Sequence, residues 1–282
     1  MAITNFIPAV WSETLWRQLQ RRCIGAANSW RAFEGDIKSR GDRVKINGIE
    51  PVNIFDYQRN SDFSAPQELS GNSRELLIDQ AKAFNFQIDD IDAAQQHPKL
   101  MELAMDEAAR ALAATADDYI FGIWPSVGAG MTVTADGVTT SSVTDILLSA
   151  REKLSANNVS SREEIFLELS PAVATRVLKA KILTGTDNVD ALDDGSIGSF
   201  LGMKVFVSTG VASAESAGKL YHKCFARTRR AIAFASQLAS VEAYRPEKRF
   251  ADAVKGLHLY GAKLVFPGEI VLLNLNLAAT DA

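Results

Sequence analysis

Hydrophobic and polar residues alternate along residues 76–88, and the period then becomes helical. The apolar positions of one parity are Leu76, Ile78, Phe84, Phe86 and Ile88. This spacing predicts one strand with a single buried face. After Pro98, apolar and small residues recur at steps of three and four as far as Tyr119. They predict one long helix, the spine helix, on which other elements are assembled.

The segment before this strand predicts a long hairpin arm. Residues 44–54 also alternate, with breaks at Gly48 and Pro51. A polar stretch over residues 58–73 then leads into the predicted strand at 76–88. Because an isolated hairpin is marginally stable in water, we expect the arm to rest on another surface.

Strands and helices alternate after the spine helix, as in a mixed α/β lobe. We predict helices over 142–154 and from Ser170-Pro171 to 178, strands at 165–169, 203–207 and 220–225, and an extended loop over 184–199. Serine followed by proline is a typical helix start.

Period-2 segments return after Val241 and continue on both sides of the Pro267-Gly268 turn. No further helix follows to cover them. We therefore expect these strands to form a terminal sheet against the spine helix, so that the first lobe is discontinuous and encloses the second.

The first residues contain a short amphipathic segment with Trp11 and Trp16 on its apolar side. Two tryptophans on a short helix are anchors for a groove. The groove could belong to the chain's own body or to a neighbouring subunit, and the residues alone favour neither.

Composition describes an ordinary globular protein. The chain has 282 residues, 47% hydrophobic and 23% charged, with a formal net charge of -4. A negative total gives no overall attraction to nucleic acid or anionic membrane. The first 45 residues are nevertheless rich in basic side chains, among them Arg17, Arg21 and Arg22.

Cysteine usage and segment hydrophobicity favour a soluble protein made inside the cell. Cys23 and Cys224 are far apart and lack a CxxC or metal-ligand spacing, so we expect free thiols. The first 22 residues lack the apolar core of a signal peptide. Polar residues interrupt the apolar tail at 264–277, which excludes a membrane span there.

Candidate catalytic patterns are weak. The paired acids are Asp89-Asp90, Asp117-Asp118, Glu163-Glu164 and Asp193-Asp194. Each pair is expected at a helix end or turn, where acids cap or are solvated. The three histidines are scattered, and neither a P-loop nor a GxSxG pattern occurs. We therefore expect no catalytic residues, no metal site and no cofactor.

Two basic clusters remain. The first contains Arg227, Arg229 and Arg230, and the second contains Lys248 and Arg249. One interpretation is a solvated surface, and the other is pairing with acids of an adjacent copy, which would fix register between subunits. Direct DNA readout is less favoured, because no recognition-helix motif is present.

This order of parts, from basic N-terminal segment to returning sheet, resembles the Hong Kong 97-type fold of tailed-phage major capsid proteins and encapsulin shells. Several strings resemble the phage branch: FIPAVWSETL at 6–15, EGDIKSRGDRVKINGIEPVNIFDY at 34–57, LLIDQAKAFNFQIDDIDAAQ at 76–95, LELSP at 167–171 and GSIGSFLGMKVFVS at 195–208. The resemblance spans almost the whole chain.

The resemblance implies an α+β Hong Kong 97-like capsid fold in four parts. These are an N-terminal arm (1–33), an extended hairpin loop (34–88), a peripheral domain of spine helix and sheet (89–125 and 236–282), and an inserted axial α/β domain (126–235).

The implied function is a structural major capsid protein whose pentamers and hexamers form an icosahedral shell around phage DNA, assembled in the bacterial host cytoplasm. Its partners would be itself, the portal, possibly scaffold or decoration proteins, and DNA without sequence specificity, with no membrane. Expected inter-subunit contacts are Trp11, Trp16, Arg59, Asp62, Glu68, Arg229, Arg230, Lys248 and Arg249. Arg17, Arg21 and Arg22 would face the lumen.

One departure concerns covalent crosslinking, which some members of this family make through a lysine of the extended loop. No lysine occurs between Lys45 and Lys82 here. We therefore expect a shell without covalent links between subunits.

Two alternatives remain. An encapsulin would be a shell that encloses a cargo enzyme, and it would carry a groove for a cargo peptide on its inner face. A soluble hydrolase would need a catalytic cluster that the sequence does not reveal.

Overall fold

The computed structural model describes residues 23–34, 42–49, 71–89, 100–160, 162–180, 196–248 and 250–279, together with residues 54, 56 and 59. The helices are α1 (Ile24–Ala27), α2 (Leu100–Phe121), α3 (Val143–Ala156) and α4 (Pro171–Lys179). The strands are β1 (Arg43–Ile49), β2 (Gly71–Leu77), β3 (Gln80–Asp89), β4 (Thr132–Val138), β5 (Ile165–Leu169), β6 (Ser196–Phe200), β7 (Met203–Val207), β8 (Ser213–Ser216), β9 (Lys219–Thr228), β10 (Ile232–Tyr244), β11 (Ala251–Leu264) and β12 (Ile270–Leu277).

The spine helix α2 covers a three-stranded antiparallel sheet of order β10-β11-β3. Its Tyr119 ring packs edge-on against Tyr260 of β11, with 5.5 Å between ring centroids. The Tyr260 hydroxyl also donates to the Thr115 carbonyl. Small residues along the helix, such as the fully buried Ala109 and Ala116, allow close packing on the core.

The β1–β2 hairpin packs its root on the opposite face of this sheet. The two strands pair antiparallel, with Arg43 opposite Leu77 and Ile49 opposite Gly71. The apolar residues of the root and the sheet form a second cluster: Val44, Ile46, Leu76, Ile78, Ala233, Ala235, Leu259 and Val265. The hairpin arm is therefore anchored at its base by apolar packing against the three-stranded sheet.

A seven-stranded mixed sheet forms the other half, in the order β4-β12-β9-β5-β7-β6 with β8 beside β9. Helix α3 packs on β4 and β12 and contacts α4. The Ser170 side chain caps α4 by accepting from the Val173 N–H, and Pro171 occupies the first turn, as predicted. The predicted strands at 165–169 and 203–207 are also confirmed.

Three strand predictions are wrong. The single strand over 76–88 is two strands, because β2 pairs with β1 whereas β3 pairs with β11. Ile78 lies at the break, is fully buried, and donates its N–H to the Asp42 carbonyl. Residues 196–199, the end of the predicted loop at 184–199, belong instead to β6 at the edge of the large sheet.

The third error concerns β12, which was expected beside β11 in a terminal sheet. It lies instead between β4 and β9 in the large sheet. Ile270 to Leu273 are buried on both faces of the strand. A strand that is apolar on both faces needs cover on both sides, which the interior of a large sheet provides.

Candidate assembly surfaces and the anchor of the N-terminal segment

The structure describes four of the predicted contact residues, and all four are exposed: Arg59, Arg229, Arg230 and Lys248. Eight others lie outside the described residues: Trp11, Trp16, Arg17, Arg21, Arg22, Asp62, Glu68 and Arg249. The inter-subunit contacts, and the lumen-facing position of Arg17, Arg21 and Arg22, stay predictions.

Arg229 and Arg230 form ion pairs within their own chain. Arg229 lies 3.4 Å from Glu164, and Arg230 lies 3.3 Å from Glu163 and 2.8 Å from Glu269. The Glu163-Glu164 pair therefore serves as partner to the basic cluster. Because these arginines are about half exposed, each pair adds little stability and its groups can exchange partners at low cost.

The turn between β10 and β11 ends in an exposed aromatic and basic tip. Phe250 is 82% exposed and follows Lys248 closely in sequence. At the base of the tip, the Tyr244 hydroxyl donates to Asn85 of β3 at 3.0 Å, and Lys255 pairs with Glu242 at 2.8 Å. These bonds fix the base of the tip, and the exposed Phe250 is a candidate apolar contact residue that the sequence analysis missed.

The chain just before the hairpin is anchored by buried polar groups. Residues 24–27 form a single helical turn, which is too short to be stable alone. Asp117 of the spine helix accepts at both carboxylate oxygens, from the Ile24 N–H at 2.8 Å and the Ala26 N–H at 3.2 Å. An acid at this end satisfies free N–H groups and complements the helix dipole.

Arg227 of β9 holds the other end of this turn. Its Nη2 donates to the Gly25 carbonyl at 2.9 Å, and its Nη1 donates to the Asn28 carbonyl at 2.9 Å and the Ser29 hydroxyl at 3.2 Å. Its Nε and Nη2 both donate to the Glu168 carboxylate at 2.8 Å. All five N–H donors of the guanidinium are therefore used.

This geometry corrects both interpretations of Arg227. The side chain is neither solvated nor available to an adjacent copy, because it and Glu168 are fully buried. A signal was present in the sequence. Glu168 interrupts the otherwise apolar strand IFLEL, and a charge at such a position requires a buried partner.

Burial also shifts the titration of nearby groups. Desolvation raises the pKa of Asp117 to about 7, and the neighbouring Glu168 carboxylate contributes to the same direction. Asp117 lies near the C-terminal end of the spine helix but is buried, so the expectation of a solvated acid does not hold for this residue. Burial likewise raises the pKa of the Cys23 thiol, and it raises that of Cys224 to about 12, so both free thiols are poor nucleophiles.

A cleft of about 730 Å³ lies between the end of the spine helix, β2 and β11. Charged residues of its lining are Arg74, Asp118 and Lys263. Arg74 donates to the Leu264 carbonyl at 3.1 Å, so its guanidinium is tied to the wall. The lining contains neither histidine nor cysteine.

Within the described part of the chain, no group of three or more His, Cys, Asp or Glu residues could hold a metal ion. Over the same residues, no helix has the length and apolar character needed to span a membrane.

Comparison with known proteins gives one family. Residues 64–275 match the family model described as phage capsid protein. No curated protein matched the chain.

Three solved structures illustrate the similarity. A chain of Mycobacterium phage Che8 is 26% identical with a TM-score of 0.67, covering 88% of this chain and 90% of that chain. The capsid of Ralstonia phage GP4 is 11% identical with a TM-score of 0.69, covering 89% and 87%. A virus-like particle from Pyrococcus furiosus is 11% identical with a TM-score of 0.58, covering 96% and 100%. The last two similarities concern the fold.

Proposed function

This chain belongs to the phage capsid protein family, and we propose that its copies join through two projecting arms without covalent links between subunits. It is a major capsid protein, a structural subunit of the icosahedral shell of a bacteriophage. Its location is the capsid of the virion. Membership of this family implies a structural role rather than an enzymatic one.

The observation that carries the arm proposal is the hairpin beyond its root. Among the described residues, β1 and β2 form a sheet of two strands, and their root is buried against β10 and β11. Farther out, Ile54 is 96% exposed. A two-stranded sheet needs further packing, and a large exposed apolar side chain on an arm is suited to the surface of another copy.

The proposed division into parts follows the sequence, with two changes. Residues 1–33 would be the N-terminal arm, and the loop would end at β2, because β3 pairs with β11. The spine helix with β3, β10 and β11 would be the peripheral domain. The axial domain would contain β12, because this strand lies inside the large sheet.

The basic N-terminal arm would face the lumen. Its Arg17, Arg21 and Arg22 would contact DNA phosphate or an acidic scaffold protein, since such contacts need charge but no sequence recognition. A portal, and possibly decoration proteins, would complete the particle. Assembly would take place in the cytoplasm of the bacterial host.

An encapsulin-type shell is the less supported alternative. The matching family model describes phage capsid proteins. The structural similarity to the Pyrococcus furiosus particle, at 11% identity, concerns the fold and does not distinguish the two kinds of shell.

Removing the loop tip tests the arm proposal. Residues 58–70 would be replaced by a short Gly-Ser turn, which leaves β2 intact because it begins at Gly71. A control variant would keep the length of residues 58–70 but replace them with a Gly-Ser repeat. We expect both variants to fold, as measured by circular dichroism, and neither to form closed shells. Normal shells from either variant would contradict a role of the tip's side chains.

A further inference from the structure

The segment 23–34, which includes the last residues of the N-terminal arm, contacts the spine helix, the large sheet, β10 and the base of the hairpin. Asp117 ties it to the spine helix, and Arg227 ties it to the large sheet. Trp30 forms a parallel bridge with Ala233 of β10, in which the Trp30 N–H donates to the Ile232 carbonyl and the Trp30 carbonyl accepts from the Phe234 N–H, each at 2.9 Å. Its ring packs near Phe33 at the root of the hairpin.

The segment has little intrinsic reason to keep this course. Its helical turn has four residues, and Ala27 on that turn is exposed. Trp30 and Phe33 pack only after the turn. The path of residues 24–29 is therefore defined by hydrogen bonds from fixed side chains together with the burial of Cys23 and Ala26 in the core.

Arg227 supplies three of these bonds, in addition to the two that Asp117 accepts from Ile24 and Ala26. Three of its five donated bonds end on Gly25, Asn28 or Ser29, and the other two end on Glu168. Glu168 in turn accepts from the Asn28 side chain at 3.0 Å. A planar guanidinium fixed by a carboxylate can satisfy two backbone carbonyls in one orientation only, which a lysine cannot do.

A buried ion pair often adds little to the stability of a fold, because the cost of removing its charges from water offsets their attraction. Some buried pairs instead select one conformation of the chain around them. The Arg227–Glu168 pair can be assigned to the second kind from its contacts. The surrounding strands β5 and β9 already pair with each other through backbone bonds. The pair's connections outside the sheet go to the segment that leads into the arm.

We propose that Arg227 and Glu168 are positioning residues that fix the direction in which the chain before Cys23 leaves the folded body, and so set the geometry of assembly. The inference rests on the proposed role of the N-terminal arm in the shell. A wild-type protein that forms no shell would contradict the role of the N-terminal arm. The variants described below test the separate role of Arg227 and Glu168.

The test uses the double variant Arg227→Met and Glu168→Met. Removing both charges avoids leaving a buried charge unpaired, and apolar side chains of similar length fill the same space. Spin labels on Ala27→Cys and Leu103→Cys report the position of the turn against the spine helix. Both positions are exposed, and the native thiols are buried. The wild-type background should give one narrow distance distribution.

We expect the double variant to unfold cooperatively like the wild type, yet to give a broad distance distribution and irregular or absent shells. The matched control is Lys219→Met with Asp136→Met, which removes an exposed ion pair between β9 and β4 and should leave both readouts unchanged. A narrow distribution and regular shells from the folded double variant would overturn the proposal.

A second variant decides the case if the double variant does not fold. Arg227→Lys keeps one positive charge beside Glu168 but loses the forked donors. We expect it to fold with a broadened distribution and malformed shells. A narrow distribution with regular shells from this variant would mean that charge alone is enough, and would equally overturn the assignment.

Discussion

Gly261 lies where the root of the hairpin crosses the three-stranded sheet. A Cβ atom at this position would overlap the carbonyl oxygen of Leu77 and come within 3.1 Å of the Ile78 Cα. These are backbone atoms, which cannot rotate away as a flexible side chain can. The glycine is therefore required for the close approach of the arm to β11.

We predict that Gly261→Ala lowers the free energy of unfolding by about 1–3 kcal/mol or more, as other overpacked sites do. Urea unfolding measures this change. Gly268→Ala is the control, because its added Cβ would meet the Asn157 side chain at an ordinary 3.7 Å. Equal stability of the two variants would contradict the close approach.

Asp117 makes the anchor sensitive to pH. Burial raises its pKa from 3.8 to about 7, so the folded state holds the proton more tightly than the unfolded chain does. Its contribution to stability is therefore complete below the unfolded pKa and is lost as pH rises through the folded one. The charged and titratable groups around it are Glu168, the Cys23 thiol and, near that thiol, Arg31.

We predict that Asp117→Asn removes this pH dependence. The difference in unfolding free energy between wild type and variant should move in favour of the variant from about pH 5 to about pH 8, because each pKa unit corresponds to about 1.4 kcal/mol. The measurement is urea unfolding of subunits too dilute to assemble. Asp136→Asn is the control. Hydrogen bonds from Tyr221 and Lys219 lower the pKa of Asp136, so this carboxylate does not titrate between pH 5 and pH 8. A constant difference for Asp117→Asn would contradict the argument.

Single residues were the hardest feature to predict from the sequence. The exposed positions of Arg229, Arg230 and Lys248 agree with surface residues, but the burial of Arg227 does not follow from its basic neighbours. Its environment depends on Glu168, which is 59 positions away in sequence. Long-range pairing of this kind leaves only an indirect trace, a lone charge in an apolar strand.

Elements with a strong period were predicted well. The spine helix ends at Phe121, and α3 and α4 start within a residue of their predicted serines. The alternation of apolar and polar residues did not reveal where the chain changes its partner strand. It continues through Ile78, although β2 before this residue pairs with β1 and β3 after it pairs with β11. The alternation also could not show to which sheet β12 belongs, because the strands of both sheets have the same two-residue period.

The basic side chains of the N-terminal segment lead to a prediction about DNA packaging. Replacing Arg17, Arg21 and Arg22 with Gln should preserve the fold and lower DNA packaging or scaffold binding. The effect should shrink as salt rises, because phosphate contacts depend on counterion release. Packaged DNA per particle measures it. Unchanged packaging, or an outer-surface location of these side chains, would contradict the prediction.

At the scale of the whole molecule, the loop without lysine predicts a shell held by non-covalent contacts. Arginine stays protonated and cannot replace lysine in an isopeptide bond, although it can form forked bonds to a carboxylate. Boiling mature particles in detergent and separating them on a denaturing gel should give one band near the 30.6 kDa monomer. A ladder of heavier bands would show crosslinks.

Electron microscopy of the purified protein decides whether this chain assembles as proposed. We expect closed icosahedral shells of pentamers and hexamers, with the β1–β2 hairpin of one subunit lying on its neighbour. A folded protein that remains as separate subunits at high concentration, and does so with extracts of phage-infected host cells added, would contradict it.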